Sequence, residues 1–252
     1  MSENTMKKTV KKLRIDKILS HMGYGTRSEI KKAVKNGYVT VNGQTIKDSG
    51  MQVDPDFDVV EIDGEVVKYR EFIYLMLHKP PGVISATEDL REETVIDLLD
   101  EEYVIFQPFP VGRLDKDTEG LLLLTNDGQL AHNLLSPRKH VPKTYEAKVL
   151  GSIGDKEITA FQHGVTLDDG YVTKPAELMV TSEEQTDTGM ISYIQVTIHE
   201  GKFHQVKRMF EAVGSKVLYL KRISMGSLML DPELPMGSYR ELTEEELNSL
   251  IN

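Results

Sequence analysis

Apolar residues in the first quarter of the chain follow helical spacing and then switch to the alternation of short strands. The apolar positions of the first predicted helix recur three and four residues apart, at Ile15, Ile18, Leu19 and Met22. A second helix is predicted to begin after Thr26, because Thr26-Arg27-Ser28-Glu29 has the form of a capping box. Asn42-Gly43 lies between two short alternating segments and predicts a hairpin turn. The pattern therefore predicts a small module over residues 13–69.

The rest of the chain, residues 70–252, alternates between predicted strands and helices. Leu121 to Leu124 form a four-leucine run that is too short for a helix and predicts a buried strand. Further strands are predicted at 72–77, 145–150, 190–199 and 217–220. Helices are predicted at 129–135, 206–213 and 243–251. The mixture favours an α+β fold, with a mixed, largely antiparallel sheet in this larger domain.

The composition excludes several kinds of site. The chain has 252 residues and no cysteine, which excludes disulfides, thiolate zinc sites, iron–sulfur clusters and a cysteine nucleophile. It contains no His-Glu-x-x-His pair, no phosphate-binding glycine loop and no G-x-S-x-G elbow. No apolar run approaches the ~18 residues of a membrane-spanning helix, and residues 1–12 lack the apolar core of a secretory signal. We therefore expect residues 1–12 to be a flexible basic tail and the protein to be cytoplasmic.

Charge is unevenly distributed along the chain. Residues 1–50 hold 11 Lys and Arg against 4 Asp and Glu, whereas the other 202 residues hold 19 against 36, so the net charge of −10 hides a basic start. Six cations fall on the two predicted helices: Arg14, Lys17, Arg27, Lys31, Lys32 and Lys35. Such a face favours regularly spaced phosphates through ion pairing and counterion release, which predicts a polyanionic partner. The alternative is a lysine-rich surface that only keeps the module soluble, and charge alone leaves both open.

Two polar segments of the larger domain are candidates for chemistry. The loop 111–120 stands directly before the four-leucine strand, a position that suits a catalytic carboxylate. It offers three acids: Asp115, Asp117 and Glu119. The alternative is a turn whose acids only accept backbone hydrogen bonds. In the segment 200–210, helical spacing assigns one face to the core and leaves Lys207 free to keep a nearby carboxylate ionised. His204 is interpreted as a helix cap or surface contact rather than a general base.

A specific signature connects these segments. Residues 112–122, Gly-Arg-Leu-Asp-Lys-Asp-Thr-Glu-Gly-Leu-Leu, match the pattern G-R-L-D-x-x-S/T-x-G-L-L/M of bacterial ribosomal RNA pseudouridine synthases of the RsuA type. Other segments that resemble this family are His78-Lys79-Pro80-Pro81-Gly82, Lys143-Thr144-Tyr145 and residues 200–210, so the resemblance extends from about residue 13 to 250. The small module resembles the αL RNA-binding domain named after a small-subunit ribosomal protein, through Arg27-Ser28-Glu29 and Val39-Thr40-Val41-Asn42-Gly43.

The resemblance implies an αL-type RNA-binding domain over 13–69 and a catalytic domain over 70–252. Asp115 occupies the position of the family's catalytic aspartate. Arg113 corresponds to an arginine that positions the RNA and holds the target nucleotide flipped out, and Tyr145 to a tyrosine that stacks on the target base. Lys207 matches the basic residue that pairs with the aspartate.

The implied reaction is the isomerisation of a uridine within RNA to pseudouridine. The N1–C1′ bond breaks, the uracil turns, and C5 bonds to C1′. Nothing is gained or lost overall, so we expect no redox cofactor, metal ion or ATP. Asp115 can act as a nucleophile at C1′ or as a base at the ribose, and the residues do not decide between them. Lys207, with His204-Gln205 ahead of it, resembles the RsuA branch and therefore favours small-subunit (16S) ribosomal RNA.

Other interpretations stay open at this point. The same chemistry could act on 23S ribosomal RNA or transfer RNA, and an RNA-binding ribosome assembly factor could keep the fold without catalysis. The expected partner is ribosomal RNA or an assembly intermediate. No apolar stripe is left over once the core is assigned, which predicts a monomer. We expect the many acids of the larger domain to lie away from its cleft.

Overall fold

The computed structural model describes residues 12–187 and 189–251. The chain forms two compact units. The smaller comprises residues up to Phe72 together with Glu101–Gln107, and the larger comprises Ile73–Asp100 and the residues from Pro108 onward. Except for Lys12, the predicted tail 1–12 lies outside the described residues. Within the described ranges, no helix is both long enough and apolar enough to span a bilayer.

The described helices and strands are as follows. The helices are α1 (Ile15–His21), α2 (Arg27–Lys35), α3 (Glu101–Val104), α4 (Gly128–Leu135), α5 (Asp155–His163), α6 (Gln205–Ala212) and α7 (Glu244–Ile251). The strands are β1 (Leu13–Arg14), β2 (Val39–Val41), β3 (Gln44–Thr45), β4 (Gln52–Val53), β5 (Val60–Ile62), β6 (Glu65–Val66), β7 (Tyr74–Lys79), β8 (Phe109–Pro110), β9 (Glu119–Thr125), β10 (Lys143–Leu150), β11 (Glu177–Thr186), β12 (Gly189–Ile198), β13 (Lys216–Met225), β14 (Leu228–Met229) and β15 (Tyr239–Glu241).

Local signals in the sequence determine the smaller unit. The predicted capping box begins α2, because the Glu29 backbone N–H donates to Thr26 Oγ1 (3.3 Å) and the Thr26 N–H donates to Glu29 Oε2 (2.7 Å). Asn42, with a φ of 52°, and Gly43 turn β2 into β3 as predicted. These strands belong to a four-stranded sheet with the order β3-β2-β5-β6. Both helices bury their apolar faces in its core, through Ile15, Ile18, Leu19, Ile30 and Val34.

The larger unit is built on one mixed sheet. Its main path has the order β11-β12-β10-β13-β9-β7-β15, and every pair along it is antiparallel except β13 with β9. The predicted mixed, largely antiparallel sheet is therefore confirmed. Leu121 to Leu124 lie in β9 and are all at most 1% exposed, because β9 lies between β13 and β7 with both of its faces covered. The helix α4 packs on one face through Leu130 and Leu134.

Several described elements were not predicted from the sequence, among them α5, β11 and α3. The helix α5 shows weak apolar spacing, and Phe161 is its one buried residue within the described chain. The strand β11 pairs along its length with β12 but lies at the sheet edge, so its exposed residues are mostly polar and acidic. The short helix α3 belongs to the smaller unit although it follows β7 in sequence, and the Phe106 ring after it contacts the His21 ring edge-on at 5.4 Å.

Candidate active site

The loop that carries Asp115 ends where two central strands approach each other closely. It lies between β8 and β9, and β9 pairs in parallel with β13 only at its first two residues. A Cβ atom on Gly120 would stand 2.2 Å from the backbone oxygen of Arg222, and the φ of Gly120 is +108°. Glycine at this position therefore lets β9 approach β13 and keeps the end of the loop in place.

A buried lysine holds the inner side of this loop. Lys79 is the last residue of β7 and is fully buried. Its ammonium group donates to the backbone oxygens of Pro80 (2.8 Å), Thr118 (3.0 Å) and Lys116 (3.3 Å). Burial lowers the pKa of Lys79 to about 8 in spite of three carboxylates nearby, so the group is mainly protonated at neutral pH. Lys79 therefore acts as a positioning residue for the loop.

Replacing Lys79 by Met is expected to lower the free energy of unfolding by about 2–4 kcal/mol, because buried carbonyl oxygens lose their donor. Urea denaturation of the full chain measures this loss. The matched control is Lys116→Met, since the half-exposed Lys116 ammonium forms an ion pair with Glu92 at 2.5 Å, and its removal is expected to cost at most about 0.5 kcal/mol. Equal losses in the two variants would contradict the role given to Lys79.

Ser85 fixes the outer side of the loop. Its hydroxyl accepts a hydrogen bond from the Leu114 N–H and donates one to the Leu114 carbonyl, both at 3.0 Å. The Thr118 N–H donates to the Asp115 carbonyl at 3.0 Å, which closes a turn. The backbone on both sides of Asp115 is therefore held by hydrogen bonds, so the direction of its side chain is well defined.

Asp115 lies in a small charged cluster. Lys207 Nζ is 3.1 Å from Asp115 Oδ2 and 2.6 Å from Asp117 Oδ1, and His204 Nε2 is 3.6 Å from Asp115 Oδ1. The side chains of Lys207 and Asp115 are 21% and 25% exposed, whereas that of Asp117 is 74% exposed. A sheltered ion pair interacts more strongly than one in water, so the Lys207 ammonium lies against a partly sheltered carboxyl group at position 115.

Hydrogen bonding sets the protonation of this cluster. Burial by itself lowers the pKa of Lys207, but hydrogen bonds to Asp117 and Asp115 outweigh it and raise the pKa above its ordinary value. The hydrogen bond from Lys207 also lowers the pKa of Asp117. Lys207 is therefore an ammonium ion at neutral pH and favours the ionised form of Asp117.

The helix α6 brings Lys207 and His204 to the loop. Its apolar face is buried, as the spacing predicted, through Val206, Met209 and Phe210. His204 precedes the first helical residue in a left-handed conformation, with a φ of 47°, and its side chain makes no capping hydrogen bond. Its ring stacks on the exposed ring of Phe203 with a centroid separation of 3.7 Å. The turn before α6 thus directs the imidazole toward Asp115.

A buried glutamate holds the segment that leads into α6. Glu200 is 7% exposed and accepts hydrogen bonds from the Tyr171 hydroxyl (2.7 Å), the Lys174 N–H (2.9 Å) and the Gln205 side-chain amide (2.9 Å). These bonds connect the segment 171–174 to the start of α6. Because all three donors are neutral groups, Glu200 provides structure here rather than a counterion for the basic residues.

Asp115 lies on a cavity of about 630 Å³ within the larger unit. Arg113 and Tyr145 line the same cavity: Arg113 is exposed, and Tyr145 is 7% exposed on β10. Three of the four residues proposed from the sequence for this domain therefore line one cavity. The fourth, Lys207, contacts the cavity residue Asp115 through their ion pair.

Basic residues dominate the lining of this cavity, although the larger domain is acidic overall. The basic lining residues are Arg113, Lys116, Lys143, Lys174, Lys202 and Arg222. The carboxylates in the lining are those of Asp115 and Glu200. The acids of the domain therefore lie mostly away from the cavity, as expected, and its potential favours an anionic ligand.

Sequence reasoning missed several residues that build the site. Lys79 lies in the segment 78–82 and Glu200 in the segment 200–210, both of which resemble the family. Nothing in these segments predicts the hydrogen bonds that the two side chains form. Ser85 and Arg222 lie outside every motif and meet the loop only because the strands fold together. No local signal identifies these two residues.

The six cations proposed for the smaller unit differ in their surroundings. Arg14 forms an ion pair with Asp16 at 2.6 Å. The other five are exposed and form no ion pair with residues 12–187 or 189–251: Lys17, Arg27, Lys31, Lys32 and Lys35. A face of free cations on two helices can bind phosphates without first breaking internal pairs.

Over the described parts of the chain, no group of three or more His, Asp or Glu side chains is arranged to hold a metal ion.

Comparison with known proteins adds family relationships to this geometry. Residues 73–212 match the family model for RNA pseudouridylate synthase, and residues 13–59 match that for the S4 domain. The chain is 56% identical to an uncharacterized RNA pseudouridine synthase of Bacillus subtilis (strain 168), over 94% of this chain and 98% of that protein.

Relatives named for both ribosomal subunits are nearly equally similar. The chain is 37% identical to ribosomal small subunit pseudouridine synthase A of Escherichia coli (strain K12), over 95% of this chain and 100% of that protein. It is 38% identical to ribosomal large subunit pseudouridine synthase B of Bacillus subtilis, over 94% and 95%. A crystal structure of a pseudouridylate synthase matches with a TM-score of 0.64 and 35% identity, covering 94% of this chain and 99% of that one.

Proposed function

The chain belongs to the RNA pseudouridylate synthase family, and we propose that it converts one specific uridine of small-subunit (16S) ribosomal RNA to pseudouridine with Asp115 as its catalytic carboxylate. The observation that carries this proposal is the ion pair between Asp115 and Lys207, 3.1 Å long, beside a cavity that Tyr145 also lines. The pair keeps the carboxylate charged, and the cavity provides the space for an extruded nucleoside.

The reaction requires one charged group and no co-reactant. Asp115 attacks C1′ or removes a proton from the ribose, and the N1–C1′ bond breaks with its electron pair on the uracil. The uracil then turns and C5 bonds to C1′; this step breaks the Asp115–C1′ bond on the first route, and Asp115 returns the proton to the ribose on the second. The C5 hydrogen leaves as a proton, and N1 gains a proton. Lys207 stabilises the carboxylate before the bond breaks, since its ammonium lies against Oδ2.

Two residues account for the binding of the flipped nucleotide. Extrusion of a base costs a few kcal/mol of lost stacking, and an aromatic face recovers part of it. Tyr145 offers that face from the rigid strand β10, and Arg113 lies exposed on the same cavity, where it can contact the RNA backbone. The site thus accepts a single-stranded or unpaired nucleotide.

The preference for 16S ribosomal RNA rests on the start of α6. His204-Gln205 followed by Lys207 resembles the RsuA branch of the family, and His204 lies 3.6 Å from Asp115. The identities to relatives of the two kinds, 37% and 38%, do not discriminate.

The experiment uses transcripts that carry tritium at C5 of every uridine, because the C5 hydrogen is released only when C5 bonds to C1′. Free 16S RNA, 16S RNA assembled with small-subunit proteins, 23S RNA and transfer RNA are incubated with the full chain. We expect about one tritium released per molecule of 16S RNA, free or assembled. Release from 23S or transfer RNA alone would correct the target, and release from none would favour a non-catalytic assembly factor.

The basic face of the smaller unit is proposed to bind the RNA backbone. Changing Arg27, Lys31 and Lys35 together to Gln is expected to reduce the slope of log Kd against log salt for 16S RNA by about 2, since each phosphate contact to single-stranded RNA contributes about 0.7. Filter binding at several salt concentrations measures the slope. The control changes three exposed lysines of the larger unit, Lys148, Lys156 and Lys216, to Gln. An equal drop in both variants would contradict a specific role for the smaller unit.

A further inference from the structure

Two buried cations lie on the face of the sheet that carries Tyr145. Lys143 is in β10 and is 9% exposed, and Arg222 is in β13 and is 2% exposed. Both line the cavity beside Asp115. The register of β10 with β13 shifts between Thr144 and Tyr145, and this irregularity places Arg222 directly opposite Tyr145. Directly opposed residues on one face of a sheet have Cβ atoms about 5 Å apart, so the guanidinium group reaches the neighbourhood of the ring.

The protein leaves the charge of both groups uncompensated. Lys143 Nζ donates to the Val141 carbonyl at 2.9 Å, and Arg222 Nε donates to the Leu121 carbonyl at 2.8 Å. Arg222 Nη2 is buried and has no hydrogen-bond partner. No carboxylate in the ranges 12–187 and 189–251 forms an ion pair with either side chain. Burial and the charge of Arg222 lower the pKa of Lys143 to about 8.

Two cations of the helix α6 are instead paired with carboxylates. Lys207 is paired with Asp115 and Asp117, and Arg208 is paired with Asp168 and Asp169. A buried cation without a counterion destabilises the fold, and an unpaired buried donor destabilises it further. Such a cost is recovered when a ligand brings the missing negative charge.

We propose that Lys143 and Arg222 form a binding site for a phosphodiester group of the RNA, next to the nucleotide whose base stacks on Tyr145. Guanidinium and ammonium groups both bind phosphate oxygens through charge-assisted hydrogen bonds, and here they place two positive charges on one cavity. Uracil is neutral in the bound substrate and carries a single negative charge only after the N1–C1′ bond breaks, whereas a phosphodiester is charged throughout, which favours the phosphate as the partner of the two cations. The proposal rests on the proposed function, because it uses the RNA substrate of the same cavity.

The first test measures kcat and KM for tritium release from labelled 16S RNA at several salt concentrations. Arg222→Gln and Lys143→Gln are each expected to raise KM about 10-fold and to reduce its salt slope by about 0.7, as expected for one lost phosphate contact. Lys148→Gln is the control, because Lys148 is in the same strand but exposed and outside the cavity. A salt slope that stays unchanged in both cavity variants would overturn the proposal.

A purely structural role for Arg222, holding the Leu121 carbonyl, would lower the melting temperature and kcat but leave the salt slope of KM intact. If Arg222→Gln does not fold, Lys143→Gln still decides the question, because among the described residues the Lys143 ammonium group hydrogen-bonds only to the partly buried Val141 carbonyl. Arg222→Lys should retain most of the salt slope, since it keeps the charge while losing the fork of donors.

The second test does not depend on activity. The melting temperature of the full chain is measured with uridine, uridine 5′-monophosphate, uridine 3′-monophosphate or inorganic phosphate at constant ionic strength. We expect a uridine monophosphate to raise the melting temperature of the wild type more than uridine does, and not to do so in Arg222→Gln or Lys143→Gln. An equal rise with inorganic phosphate would assign the site to free phosphate and overturn the RNA assignment. If a uridine monophosphate raises the melting temperature but no RNA releases tritium, the anion site is supported and the proposed function is refuted.

Discussion

Replacement of Asp115 by asparagine is expected to reduce the rate of pseudouridine formation by about 10³-fold or more, because an amide can act neither as nucleophile nor as base. Folding should be nearly unaffected. The Asp115 side chain is 25% exposed, and Lys207 keeps its pairing with Asp117 at 2.6 Å when Asp115 loses its charge. We expect the melting temperature to change by less than about 4 °C, the shift that 1 kcal/mol gives in a chain of this size.

Asp117→Asn is the matched control for this result. It removes a carboxylate two residues away that contacts the same ammonium group but is 74% exposed. We expect less than about a tenfold loss of rate, since Asp115 would remain ionised beside Lys207. A loss as large as that of Asp115→Asn would mean that the charged cluster as a whole, rather than the carboxylate at 115, does the chemistry.

Gly120→Ala is expected to destabilise the chain by about 3–5 kcal/mol, which places it among the large single-residue effects. The added Cβ would stand 2.2 Å from the Arg222 backbone oxygen and 2.7 Å from its nitrogen, so β9 and β13 must separate where they pair. Alanine at a φ of +108° adds conformational strain of about 1 kcal/mol or more. Because the loop that carries Asp115 leads directly into β9, the rate of pseudouridine formation should fall together with the free energy of unfolding. Urea denaturation and tritium release measure the two losses.

Gly170→Ala is the control, because it adds the strain of a positive φ without any close contact between a new Cβ atom and a neighbouring strand. Gly170 has a φ of +81°, and a Cβ there would meet no atom within 4 Å. Its alanine variant should therefore lose only about 1 kcal/mol, from the backbone conformation alone. If both variants lost the same free energy, the close approach of the two strands would not be what fixes the loop.

Short-range patterns explain why so much of the fold was predictable. The capping box at Thr26, the Asn42-Gly43 turn and the four-leucine run each encode one element within a few residues. The edge strand β11 has no such local pattern. One of its faces and its outer edge are in contact with solvent, so polar residues are tolerated along it. The strand is determined by its pairing with β12, which no local window contains.

The candidate site was predictable only where its residues lie in specific motifs. Asp115, Tyr145 and Lys207 each belong to a segment that resembles the family, and the structure places them around one cavity or its ion pair. Lys79 and Arg222 could not be assigned a role in this way, because their contacts depend on strand order and register. The meeting of β7, β9 and β13 gives these two residues their hydrogen bonds to the loop and to Leu121.

The most direct test of the account is a map of pseudouridines in the ribosomal RNA of a strain that lacks this gene, made by chemical labelling and reverse transcription. We expect one position of 16S RNA to lose its pseudouridine, to regain it when the wild-type gene is restored, and to stay unmodified with the Asp115→Asn gene. Recovery with the Asp115→Asn gene, or a deletion strain with every position still modified, would contradict the claim that this carboxylate isomerises a ribosomal uridine.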